Sequence, residues 1–187
     1  MSTEHRMDDW ATHLPALAAC LARTSGPVLE VGVGIWSTPI LHAACAPTGR
    51  RLVSVEANPD WLARFVTLRS ASHEVLSLPR WEEAPALLSS GRLLGADAAW
   101  AVAFVDHGLA PRGPVVAALR GRADLVVMHD SECHYCGYGE PLSYFDWVYT
   151  HTHSPTWTTV AGLGERPPWL EAALVPGIWG VPRCYRG

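Results

Sequence analysis

Two spacings of apolar residues alternate along this chain. Trp10, Leu14, Leu17 and Leu21 recur at helical intervals and predict a leading helix from Trp10 to Arg23, which packs on a sheet or covers a ligand. Short apolar runs bounded by turn residues predict strands at Pro27 to Val31, Leu52 to Val55, Glu74 to Leu78, Ala101 to Val105 and Leu125 to Met128. Helices are expected between them, at Thr38 to Ala46, Pro59 to Ala71, Glu82 to Ser89 and Pro111 to Arg120. Regular alternation of this kind predicts an α/β fold, a doubly wound, mostly parallel sheet with helices on both faces. After Met128 the text becomes rich in aromatic residues, His, Gly and Pro, with antiparallel strands expected at Trp157 to Val160 and Ala172 to Val175.

Ligands of such sheets bind beyond the carboxyl ends of the strands, so the residues after each strand carry the functional information. The first strand runs into Glu30-Val31-Gly32-Val33-Gly34-Ile35-Trp36-Ser37-Thr38. Gly32 and Gly34 allow a tight turn and close approach of a ligand to the backbone, and Ser37 and Thr38 are placed to cap the following helix. The second strand ends in Glu56, about 20 residues beyond the glycines, where a carboxylate accepts both hydroxyl hydrogens of a ribose. Ala57-Asn58-Pro59-Asp60-Trp61 then opens a helix, with Asn58 as cap and Pro59 at the first helical position.

The order E-x-G-x-G followed by the Glu56 strand end resembles motif I and the ribose acid of class I S-adenosylmethionine (SAM) methyltransferases. The resemblance covers residues 27 to about 131 and implies a Rossmann-like domain. It implies SAM as cofactor, held by Glu30, Gly32, Gly34, Ser37, Thr38 and Glu56, with Glu30 orienting the methionine part through nearby polar groups. It also implies adenine contact at Trp81, just after the third strand, and an acid near the methyl donor at Asp106. The dinucleotide fingerprint G-x-G-x-x-G fits less well, because Ser37 stands at its third glycine.

Two His-Asp pairs fall at the same rim, Asp106-His107 after the fourth strand and His129-Asp130 after the fifth. Three uses are open to them. As acid-base groups, His107 or His129 takes a proton from a hydroxyl or ammonium acceptor while an adjacent carboxylate orients the ring. As metal ligands, Asp106 and Asp130 match the acids with which some family members hold a divalent ion, although the third ligand position is Ser131, a poor replacement. As structural groups, they cap helices and bond loops.

Cys133-His134-Tyr135-Cys136 places two thiols within reach of one tetrahedral ion, to which His129, His134, His151 or His153 would add ligands; the alternative is a pair of thiols lining a substrate loop. The five cysteines, with Cys20, Cys45 and Cys184 completing the set, are an odd number and point to reduced thiols, with Cys20 and Cys45 in the core. Among nine tryptophans, Trp36 and Trp81 stand at ligand positions, and Tyr135, Tyr138 and Tyr144 fall where a substrate lid would form.

Composition narrows the partners. The chain has 187 residues, 49% of them hydrophobic, enough for one domain: an N-terminal helix (1–26), a cofactor-binding core (27–131), and a substrate loop with the C-terminal sheet edge (132–187). A net charge of −4 without any Lys/Arg block argues against nucleic acid, and no run of membrane-spanning length appears. A cytoplasmic protein is expected. The Pro/Trp-rich C-terminal segment leaves two uses open, covering the pocket or forming a homodimer contact. The expected activity is methyl transfer from SAM to a small molecule by in-line displacement, with Asp106, His107, His129 and Asp130 as the catalytic set. The alternatives are a divalent-metal-dependent O-methyltransferase, an NAD-binding oxidoreductase and a noncatalytic SAM-binding protein.

Overall fold

The computed structural model describes residues 10–95, 98–108, 111–152, 154 and 156–174. His153, Val175 and Cys184, each named above, lie outside that set. Seven strands form one sheet: β1 (Val28–Val31), β2 (Leu52–Glu56), β3 (His73–Ser77), β4 (Trp100–Val105), β5 (Ala123–His129), β6 (Trp147–His151) and β7 (Thr158–Gly162). Their order is β3-β2-β1-β4-β5-β7-β6. The first five run parallel, and β7 joins β5 and β6 antiparallel. The order reverses between β1 and β4, so a crevice opens beyond their carboxyl ends.

The central strands are largely apolar because both faces are covered, with Glu30 of β1 and Ser54 of β2 as buried polar exceptions. Alternate residues supply two separate cores. Leu29, Val31, Val53, Val55, Ala103 and Val105 pack on one face with Trp81 and Trp100. Val28, Leu52, Val102, Phe104 and Val127 pack on the other, with Leu17 and Cys20 of α1 (Leu14–Arg23), Leu41 of α2 (Ser37–Cys45) and Leu170. Cys20 and Cys45 are buried, as the sequence suggested.

Two expectations fail at the level of elements, and one strand was not expected. The helix expected over Pro59 to Ala71 is one turn, α3 (Pro59–Leu62), and a separate 3-10 turn at Val66–Leu68. Its apolar residues Leu62, Phe65 and Leu68 are three apart, the 3-10 repeat, and they fill a small core beneath Val33. Of the strand expected at Ala172 to Val175, the described residues Ala172 and Ala173 instead end α7 (Trp169–Ala173), started by Pro167-Pro168, with Leu170 and Leu174 four apart and both buried. The edge strand β6 was not anticipated: most of its residues are partly buried or exposed and lack a clean alternation. Among the described residues no helix is long and apolar enough to cross a membrane.

Candidate functional site

A cavity of about 540 Å³ occupies the crevice. One end is built from the turn after β1. Gly32 adopts φ +98°, and a Cβ there would lie 2.6 Å from Asp106 O and from the backbone of His107. Its missing side chain thus lets the ends of β1 and β4 meet, rather than admitting a ligand. Gly34 does line the cavity, and a Cβ on it would meet only Ser37 Oγ, at 2.9 Å. Trp61 donates from Nε1 to Val33 O at 2.6 Å and ties this turn to α3.

Glu56 stands beside this turn. Its Oε2 accepts from Val33 N–H at 3.2 Å, and its Oε1 accepts from Ala57 N–H and Asn58 N–H at 2.9 and 2.8 Å. Burial raises its pKa, and these three amides oppose the rise. The carboxylate is fixed in place at the cavity wall. Asn58 caps α3 as expected, accepting from Asp60 and Trp61 N–H.

Glu30 is fully buried and does not line the cavity. It accepts from Thr38 Oγ1 at 2.9 Å and from Ser54 Oγ at 2.6 Å, while Thr38 Oγ1 accepts from Gly34 N–H at 2.8 Å. It therefore holds the glycine turn from behind, through Thr38. Burial raises its pKa to about 7, against the hydrogen bonds from Ser37, Ser54 and Thr38. Ser54 spends its hydrogen on Glu30, so His73 Nε2 donates to Ser54 Oγ at 2.9 Å. Ser37 and Thr38 lie inside the first turn of α2 and make no cap bond; Ser37 lines the cavity.

At the other end the two rim acids converge on a residue that the sequence did not single out. Arg112 precedes α5 (Gly113–Leu119) and is buried. Its Nη2 lies 3.0 Å from Asp106 Oδ1 and its Nη1 lies 3.1 Å from Asp130 Oδ2. It also donates to the carbonyls of His107 and His129, at 2.6 and 3.0 Å. Burial alone would lower its pKa, but Tyr138 and the two acids hold it well above its usual value. A guanidinium already fills the space between Asp106 and Asp130, so those two acids do not fit a shared metal ion. Asp130 reaches Arg112 by taking φ 52°, a left-handed conformation that Asp tolerates. Two acids after neighbouring strands require a cation, and a lone Arg opening the helix between them was the available signal.

His129 lies beneath the acids. Its Nδ1 is 3.2 Å from Asp106 Oδ2, and its Nε2 is 2.9 and 3.1 Å from the hydroxyls of Thr12 and Thr156. Burial pulls its pKa down, but Asp106 outweighs that, and the net shift is upward. Burial likewise works against the Asp106 charge, and His129 and Arg112 prevail, leaving its pKa below the usual carboxylate value. His13, from the start of α1, stacks on Phe104 at 4.6 Å and meets the His129 ring edge-on at 4.7 Å. It is 1% exposed, and among the described residues neither ring nitrogen has a hydrogen-bond partner. Burial lowers its pKa to about 3, so the ring is neutral. Each unmade buried hydrogen bond costs about 1–3 kcal/mol.

His107 does not reach the cavity, contrary to its expected place facing a reacting centre. It is 1% exposed, lies behind Trp81 with rings stacked at 4.3 Å, and does not line the cavity. Burial lowers its pKa to about 4. The supposed tyrosine lid is absent as well. Tyr138 is buried and donates to His129 O at 3.1 Å, Tyr135 is exposed, Tyr144 bonds Glu140, and none of the three lines the cavity. The cavity walls are tryptophans instead: Trp36 and Trp81, as anticipated, with Trp10 and Trp61. Cys133 lines the cavity and Cys136 is buried with a pKa pushed up by burial to about 12. Among the described residues neither belongs to a group of three side chains able to share a metal; that arrangement is met by His13, Asp106 and His129.

No protein-family model matches the chain, and a comparison with curated proteins finds no match. Solved structures do resemble it. Human methyltransferase-like protein 13, in complex with S-adenosylhomocysteine (SAH), is 15% identical; the match covers 94% of this chain and 97% of that one, with a TM-score of 0.61. An O-methyltransferase from Bacillus cereus in complex with SAH is 12% identical over 86% of this chain and 84% of that one, with a TM-score of 0.60. The O-methyltransferase TomG from Streptomyces achromogenes, in complex with SAM, is 20% identical over 81% and 79%, with a TM-score of 0.57. The chain therefore has the Rossmann-like fold of the SAM-dependent class I methyltransferases.

Proposed function

We propose that the protein transfers a methyl group from SAM to a small-molecule acceptor. The observation that carries this reading is the Glu56 carboxylate, fixed by three backbone amides beside the glycine turn, in the position that suits a ribose diol. Trp61 and Trp81 line the cavity and offer flat apolar surface to an adenine ring, while Gly34 and Ser37 face the amino-acid end. A volume of about 540 Å³ is within the range for small ligands, ~300–1,000 Å³.

The acceptor end is the floor formed by Asp106, Asp130, His129 and His13. In-line transfer needs the acceptor lone pair aimed at the sulfonium methyl carbon, with the C–S electron pair leaving on sulfur. A hydroxyl acceptor also sheds a proton, and Asp106 paired with His129 assists there. His107 takes no part; it supports Trp81.

Transfer of labelled methyl from SAM to a panel of small alcohols, phenols and amines tests this directly. Wild-type protein is expected to label at least one of them, and Asp106→Asn to lower kcat by about 10²-fold or more while leaving SAM affinity near wild type. SAM binding without transfer to any small acceptor, or equal rates for Asp106→Asn, would contradict the proposal.

A further inference from the structure

We infer that His13, Asp106 and His129 form a binding site for one divalent transition-metal ion of zinc-like ligand preference. The inference deepens the methyltransferase reading, since the site lies at the acceptor end, but metal binding itself does not depend on SAM. Ligand atoms of these three residues lie within 4.8 Å of one another. His129 Nδ1 and Asp106 Oδ2 are 3.2 Å apart, close to the ~3–3.4 Å between two ligand atoms that share an ion at about 2.1 Å. His13 is buried against both, with two ring nitrogens that have no partner among the described residues.

The surroundings are those that hold ligands in place around an ion. A ligating imidazole commonly directs its other nitrogen to an oxygen, and His129 Nε2 meets the Thr12 and Thr156 hydroxyls at 2.9 and 3.1 Å. A ligating carboxylate is itself hydrogen-bonded, and Asp106 Oδ1 is held by Arg112 at 3.0 Å. With His129 neutral, as a ligating imidazole must be, two carboxylates against one guanidinium leave the cluster net negative before any ion enters. All three residues line the cavity, so a ligand in it would approach the ion, as in catalytic rather than structural sites. Two imidazoles with one carboxylate select zinc, cobalt or ferrous ions over magnesium and calcium. An ion there would supply Lewis-acid polarisation of a hydroxyl acceptor. This site differs from one between Asp106 and Asp130, which Arg112 fills.

The test is Co²⁺ titration of the chelator-treated full chain, read by visible absorption and by calorimetry, with Zn²⁺ and Mg²⁺ as competitors and SAM affinity measured on the same sample. One ion per chain is expected, displaced by Zn²⁺ and not by Mg²⁺. His13→Gln should weaken binding about 100-fold or more, and Thr156→Val, which keeps all three ligands, about 10-fold. Both should leave SAM affinity unchanged, which separates this result from the cofactor question. Absence of saturable binding would overturn the inference and leave His129 as a hydrogen-bonding partner of the two acids. Thiolate bands that disappear in Cys133→Ser, or unchanged binding in both His13→Gln and Thr156→Val, would overturn it too.

Discussion

Single residues decide how the two ends of the cavity are shaped. Gly32 and Gly34 belong to one motif but do different work. A side chain at Gly32 would collide with backbone of the β4 end in a left-handed conformation, whereas one at Gly34 meets a movable hydroxyl. Gly32→Ala is therefore expected to cost at least ~3 kcal/mol and to abolish cofactor binding, and Gly34→Ala to cost under about 1 kcal/mol; urea unfolding of the pair checks this. Similar losses in both would mean that the turn is not locked onto β4. Glu30 gives a second test at this scale. Its pKa in the folded chain, about 7, lies above the unfolded value of 4.5, so between these the folded state holds more protons than the unfolded one. Its contribution to stability is complete below pH 4.5 and is lost as pH rises through 7. Relative to Glu30→Gln, the wild type should lose on the order of 3 kcal/mol across that window. A constant difference from pH 4 to 8 in unfolding experiments would show that the buried carboxyl does not titrate there.

Elements bring together what no local pattern joins. The ends of β4 and β5 and the start of α5 meet through Arg112, whose planar fork serves both acids and two carbonyls. Arg112→Lys keeps the charge but not the fork, so it should recover little of the loss from Arg112→Met. That loss is expected to be about 2–3 kcal/mol, below the ~3–5 kcal/mol of a fully buried pair, because Asp106 and Asp130 keep some contact with water. Full rescue by lysine would reduce Arg112 to a point charge. The same contrast explains what was legible in the sequence. Strands β1 to β5, the glycine turn and Glu56 could be read because each is a local pattern of apolar runs and turn residues. His13 and Thr156 join His129 across gaps of 116 and 27 residues in the chain, and spacing carries no trace of that. His107 misled because adjacency to Asp106 says nothing of which face of the strand end it takes; it turned under Trp81.

For the whole molecule, the mostly parallel sheet, its reversal between β1 and β4 and the two-ended cavity form one arrangement: a frame that presents the glycine turn and Glu56 at one end and an acid-histidine floor at the other. The central claim is that the first end binds SAM. Calorimetry of the purified chain with SAM, SAH and NAD, alongside Glu56→Ala, tests it most directly. The account predicts saturable one-to-one binding of SAM and SAH, weakened by about 10-fold or more in Glu56→Ala through loss of a charge-assisted bond of roughly 1.5–3 kcal/mol, and no binding of NAD. Preferential binding of NAD, or binding of SAM that is indifferent to Glu56, would contradict it.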